Sequence, residues 1–252
     1  MLYSLRAWYN IAMKKTPTLA ERIRLTVVLV TLAVFIATAL GAMYYRFKNG
    51  RSVYYDFKVC QFEKMNDEEE KNGIVFLGDS ITDFCDLDTY YPGLNAVNRG
   101  IAGDMTVGVL RRMDASVFAL EPRLVVLLIG VNDLSRGYSP ETVTENIMKI
   151  VDEIKSRLPS AAVIVQSVYP VNSVHGKEYA SRLTPLISEL NAALEALDKE
   201  HGYVFVNVYP AIDDGTGSLI REYSDDGLHP NAAGYAAISS VLEPYLKEYS
   251  DN

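Results

Sequence analysis

The chain has 252 residues, 49% hydrophobic and 22% charged, with two cysteines. That length allows one substantial domain with or without an appendage, and the composition excludes a collagen, a disordered tail protein and a disulfide-built scaffold. Residues 1–51 hold eight Lys/Arg and one acid, a balance of +7, whereas the remainder holds 16 basic and 31 acidic residues, a balance of −15. A basic head on an acidic body implies two environments, and the acidic body argues against a nucleic-acid partner, because phosphate binding needs clustered positive charge.

Residues 1–24 read as a short basic tail. Leu25 to Tyr45 follows as 21 residues without a charge, which as a helix would reach roughly 31 Å, about one hydrocarbon core. Arg22 and Arg24 precede the run, Arg46 and Lys48 follow it, and Tyr44 and Tyr45 stand where interfacial aromatics belong. The run shows no polar face, so a transmembrane signal anchor is expected rather than a core helix. A cleaved signal peptide is the rival reading, with small-residue sites at Ala37-Thr38-Ala39 and Leu40-Gly41-Ala42. Five Lys/Arg lie in residues 1–24 and five more (Arg46, Lys48, Arg51, Lys58, Lys64) lie in the twenty residues after the run. Loop charge therefore sets no firm orientation. A single span behind a short tail is expected to leave the body outside the cytoplasm, in a single-pass cell-membrane protein.

Residues 46–72 form a charged, proline-free juxtamembrane linker. Val53, Phe57 and Cys60 recur in it at helical spacing, which predicts a short helix. The acidic run just before Gly73 reads as a solvated face. From Gly73 to the end, residues 73–252, short apolar runs alternate with helical stretches. The runs are Ile74–Leu77, Ala96–Val97, Leu124–Ile129, Ala162–Val168 and Tyr203–Val208. Helices are expected over Glu141–Leu158, with Val143, Ile147, Ile150, Val151 and Ile154 on one face, over Ser181–His201, and over about Asn231–Lys247. This alternation predicts an α/β domain whose parallel sheet is covered on both faces.

In such sheets ligands bind beyond the carboxyl ends of the strands. Four polar, glycine-containing elements fall on that edge: Gly78-Asp79-Ser80; Asn98-Arg99-Gly100-Ile101-Ala102-Gly103-Asp104; Gly130-Val131-Asn132-Asp133; and Asp225-Asp226-Gly227-Leu228-His229-Pro230. Together they hold what acyl transfer requires: a hydroxyl nucleophile, an imidazole base, a carboxylate to orient it, and N–H donors for an oxyanion. Of the three histidines, His201 stands at a helix end and His175 in a loop, whereas His229 follows Asp226 by three residues.

These four blocks, in this order, resemble those of the SGNH hydrolases, the GDSL esterases and lipases, from about Gly73 to Tyr245. Ile81 stands where the family name has leucine. The resemblance implies a three-layer α/β/α sandwich with a flavodoxin-like, mostly five-stranded parallel sheet. It implies Ser80 as nucleophile, His229 as proton carrier and Asp226 as its orienting carboxylate. The backbone N–H groups of Ser80 and Gly103 and the side-chain amide of Asn132 would form the oxyanion hole. Glycine suits position 103 because backbone must approach the reacting carbonyl, while Gly100 would serve the turn. Asp79 and Asp104 would bond loop N–H groups. No cofactor or metal is implied, and Asp213-Asp214-Gly215-Thr216-Gly217 reads as a plain turn. Cys60 and Cys85 fit either a disulfide or two free thiols. The expected activity is hydrolysis of a small-molecule or glycan ester. Removal of acetyl from carbohydrate or cell-envelope esters comes first, with lysophospholipase, short-chain lipase or thioesterase activity as the alternative. A non-catalytic protein of the same fold is the remaining reading, and the complete residue set argues against it. Oligomeric state is left open.

Overall fold

The computed structural model describes residues 18–48 and 52–249, so most of the expected basic tail, residues 1–17, lies outside the described residues. The chain divides into two units, Met1–Phe47 and Lys48–Asn252.

The described part of the first unit is a helix, α1 (Leu19–Lys48), longer at both ends than the uncharged run predicts. Its start is set by a capping box. The Thr18 hydroxyl accepts from the Glu21 N–H at 3.3 Å, and the Glu21 carboxylate accepts from the Thr18 N–H at 2.8 Å. Leu19–Tyr44 is long and apolar enough to cross a membrane. The hydroxyls of Thr31 and Thr38 donate to the carbonyls of Val27 and Phe35, so neither polar group would be left unpaired in hydrocarbon.

The second unit opens with α2 (Val53–Met65), capped by Ser52, whose hydroxyl accepts from the Tyr55 N–H at 3.0 Å. The helix exists where spacing predicts it, but on a different face. Tyr55 and Phe62 are buried against Ile101, whereas Val53, Phe57 and Cys60 are exposed. Two aromatics seven residues apart lie two turns apart on one face, and burying their rings against Ile101 sets which face turns inward.

Five parallel strands follow: β1 (Ile74–Gly78), β2 (Ala96–Gly100), β3 (Leu124–Leu128), β4 (Ala162–Gln166) and β5 (Val204–Val206). Their order in the sheet is β2-β1-β3-β4-β5, the doubly wound arrangement. The helices of this unit include α3 (Ser80–Asp83), α4 (Thr106–Arg111), α5 (Val131–Ser135), α6 (Pro140–Arg157), α7 (Lys177–His201) and α8 (Ala232–Lys247). Alternate strand residues feed opposite faces. Val75, Leu77, Val125, Leu127, Val163 and Val165 pack with α6 and α7, while Ile74, Phe76, Leu124, Val126, Leu128 and Ile164 pack with α8. The result is a three-layer sandwich.

The predicted stripe of α6 is fully buried at Val143, Ile147, Ile150, Val151 and Ile154, each worth about 1.5–3 kcal/mol on burial. Ser139 caps that helix and Pro140 opens it, a start signal one residue before the expected one. Cys60 and Cys85 are both free thiols, Cys60 exposed and Cys85 partly buried, where burial pushes the Cys85 thiol up to about 12.

Candidate active site

The strand order reverses at β1 and β3, which opens a crevice at their carboxyl ends. Gly78 closes β1 and lies in register with Gly100 of β2 and Leu128 of β3. Three of the four polar elements therefore leave the sheet side by side. Asp79 caps α3, accepting the Ile81 N–H at 3.0 Å, and Ser80 is the first residue of that helix. Its N–H has no partner within the helix.

The structure brings Ser80, His229 and Asp226 into one hydrogen-bonded chain. The Ser80 hydroxyl lies 2.9 Å from His229 Nε2, and His229 Nδ1 lies 2.6 Å from Asp226 Oδ2. A carboxylate only accepts, so it fixes the tautomer with the proton on Nδ1 and leaves Nε2 free to take the serine proton. Asp226 Oδ1 also accepts the N–H groups of Leu228 at 2.9 Å and His229 at 2.8 Å. Burial alone would raise this carboxyl. The His229 ring and the two backbone donors outweigh it and hold Asp226 well below the usual carboxylate range.

The loop is tied by Ser224, whose hydroxyl accepts the Gly227 N–H at 2.9 Å and donates to the His229 carbonyl at 2.7 Å. Sequence reading missed Ser224, although a serine two residues before the acid is a natural loop closer. Phe84 was missed too: its ring stands 5.2 Å from the His229 ring, in tilted contact. His175 lies beside this loop, its Nδ1 3.3 Å from the Asp226 carbonyl oxygen and its ring 4.6 Å from that of Tyr179. His201 lies elsewhere, at the end of α7, paired with Asp152.

Asn132 sits in the first turn of α5, and its amide donates to Asp79 Oδ2 at 3.3 Å, which holds it beside the Ser80 turn. Gly103 lies in the loop after β2. The two glycines there answer different local demands. Gly103 has φ +76°, and a side chain added to it would meet nothing within 4 Å, so backbone conformation demands glycine. Gly100 has no such angle, but a Cβ there would stand 2.1 Å from the Asp83 N, so close packing of α3 on β2 demands it. Among the described residues no acceptor meets the Gly103 N–H, while its carbonyl accepts from Arg136 at 3.2 Å.

Below these loops lies a buried acidic cluster. Burial, and then the charges of Asp104 and Asp133, push the Asp79 carboxyl up to about 7. Burial also raises Asp133, to about 6, against the hydrogen bonds it receives from Thr106. Asp104 is paired with Arg112 at 2.8 Å, both fully buried. That guanidinium also donates to the carbonyls of Gly78 and Arg99 at 2.9 and 2.8 Å. Arg112 thus clamps the ends of β1 and β2.

The profile of the GDSL-like lipase/acylhydrolase family matches residues 76–237, well over half of the chain. The human platelet-activating factor acetylhydrolase IB subunit alpha1 is 28% identical over 185 residues, 71% of this chain and 77% of that protein. Esterase TesA of Pseudomonas aeruginosa is 26% identical over 189 residues, 69% of this chain and 87% of that protein. The crystal structure of a GDSL-like lipase from Bacteroides thetaiotaomicron superimposes with a TM-score of 0.66 at 25% identity, covering 75% of this chain and 97% of that one. The chain belongs to the GDSL-like lipase/acylhydrolase family, the SGNH hydrolases, and is an ester hydrolase of that family.

Proposed function

We propose that the protein is a membrane-anchored serine esterase that removes small acyl groups, acetyl above all, from carbohydrate or other cell-envelope esters. The observation that carries this reading is the unbroken chain from the Ser80 hydroxyl through His229 to Asp226. Ser80 Oγ attacks the ester carbonyl as His229 Nε2 takes its proton. The developing oxyanion is met by the N–H groups of Ser80 and Gly103 and the Asn132 amide. His229 returns the proton to the leaving alcohol, and an acyl group remains on Ser80. Water, deprotonated by the same imidazole, then releases the acid and restores the serine.

Preference for a small acyl group on a bulky carrier is supported by the exposure pattern. Ser80 is only 6% exposed, whereas the His229 and Asp226 side chains are 27% and 49% exposed. The acyl half faces a confined serine and the alcohol half faces solvent. A relative named as an acetylhydrolase agrees with that size. Helix α1 supports the anchor, and the acidic body is placed outside the cytoplasm.

The test is hydrolysis of p-nitrophenyl esters from acetate to palmitate by the full chain in detergent. Acetate should be preferred, and Ser80→Ala should fall to the uncatalysed rate. Equal rates for wild type and Ser80→Ala would remove the esterase reading. A preference for palmitate would replace the small-acyl reading with a lipase.

A further inference from the structure

Helix α2 does more than lead into the domain. Asp83 ends α3 three residues after Ser80, and its side chain is 5% exposed. One carboxylate oxygen accepts from Lys58 Nζ at 2.8 Å. The other accepts from the Tyr54 hydroxyl at 2.8 Å and from the Ala102 N–H at 2.9 Å. Tyr54 and Lys58 both belong to α2, and Ala102 immediately precedes Gly103. The next residue back, Ile101, donates its N–H to the Gly78 carbonyl at 3.1 Å and buries its side chain against Tyr55 and Phe62 of α2. Tyr55 fixes the helix in turn, donating its hydroxyl to the Gly108 carbonyl at 2.8 Å. The loop from Gly100 to Asp104 is thus held by β1 on one side and by α2 on the other.

We infer that α2 is a positioning element for the oxyanion loop: Tyr54 and Lys58 fix Asp83, and Asp83 fixes the peptide that precedes Gly103. This rests on the reading of the Gly103 N–H as an oxyanion donor. The Gly103 N–H belongs to the Ala102–Gly103 peptide, so its direction follows the backbone of Ala102, whose own N–H Asp83 holds. Lys58 is only 18% exposed, and its ammonium also stands 5.3 Å from the centre of the Phe62 ring. The cation is therefore built into the packing, unlike a surface lysine whose ion pair contributes little. Tyr54 and Lys58 act through Asp83 and touch no substrate.

The experiment is kinetic, on the full chain in detergent, with p-nitrophenyl acetate and a phosphonate ester that inactivates Ser80. The variants are Tyr54→Phe, Lys58→Met, the double variant, Lys58→Arg, and Lys64→Ala as a control on the exposed face of α2. Outright loss of one oxyanion donor costs about 10²–10³ in kcat, so a loosened donor in the double variant should cost about tenfold. KM should stay within about twofold, because ground-state binding is untouched. Phosphonylation should slow in parallel, since its oxyanion uses the same donors. The pH profile should keep its shape, because the His229–Asp226 pair is unaltered. Lys58→Arg should recover most of the rate, and Lys64→Ala should match wild type.

A folded double variant with wild-type kcat overturns the proposal while leaving the esterase reading intact. Absence of Ser80-dependent hydrolysis in the wild type overturns both. If the double variant does not fold, the single variants decide: Tyr54→Phe removes one hydroxyl and should still lower kcat by a few-fold, and an unchanged kcat there overturns the inference.

Discussion

Asp79 and Asp226 are the same residue type in one site, pushed in opposite directions by their surroundings. Asp226 accepts from the N–H groups of Leu228 and His229 and from the His229 ring at the surface and stays ionised. Asp79 is wholly buried beside two other carboxylates, and burial with their charge pushes it up to about 7 from 3.8. A carboxyl raised in the folded state holds a proton that the unfolded chain releases. Its contribution is therefore most favourable at low pH and is lost as pH climbs from about 4 through 7. Asp79→Asn removes that titration while keeping the side-chain shape. One pKa unit corresponds to about 1.4 kcal/mol. The stability of the variant relative to wild type should improve by roughly 1 kcal/mol or more between pH 5 and pH 8. Urea unfolding at the two pH values measures this, and an equal difference at both would show that Asp79 does not carry the charge burden of the site. The role foreseen for Asp79 and Asp104, bonding loop N–H groups, was legible in the motif, and the structure shows the N–H groups of Ile81 and Met105 as their donors. The raised Asp79 carboxyl was not legible, because it depends on burial and on Asp104 and Asp133 arriving from other loops.

Among the elements, the strands and long helices were readable because each carries its burial pattern within itself. The β3 run Leu124–Leu128 is buried at every position, and the α6 stripe is buried as spaced. The face of α2 was misread, since Tyr55 and Phe62 are chosen by Ile101, which lies far along the chain. Arg112 was not readable at all. An arginine in a sequence implies surface, and only the fold reveals a guanidinium that joins β1, β2 and Asp104 in the interior. Removing one member of a buried pair leaves the other charge unmatched, at a cost of about 3–5 kcal/mol. Arg112→Met should therefore lose about that much stability, while adding Asp104→Asn to it should cost little more. The check is a double-mutant cycle by urea unfolding. Strictly additive losses would mean that the clamp is not a coupled pair, and that the two strand ends are held by the sheet alone.

At the scale of the whole molecule, the +7 head and the −15 remainder meet within a few residues of the end of α1. The basic residues flanking the apolar run are balanced, five on each side, so loop charge alone would not orient a span there. The folded remainder supplies a second argument. Cytoplasmic leaflets carry anionic lipid with a surface potential of about −30 mV, which attracts basic segments and repels acidic ones within about a Debye length. If α1 spans the membrane, an acidic domain tethered to it would work against that repulsion on the cytoplasmic side. On the opposite side it would not, and its proposed envelope substrates would be within reach. Intact cells treated with an added protease should therefore lose the domain from their membranes, as followed with an antibody against residues near the C-terminus. Esterase activity should fall in step with the cleavage. Protection of the domain in intact cells, with cleavage appearing only after the cells are opened, would reverse the orientation and move the substrate search to the cytoplasmic side.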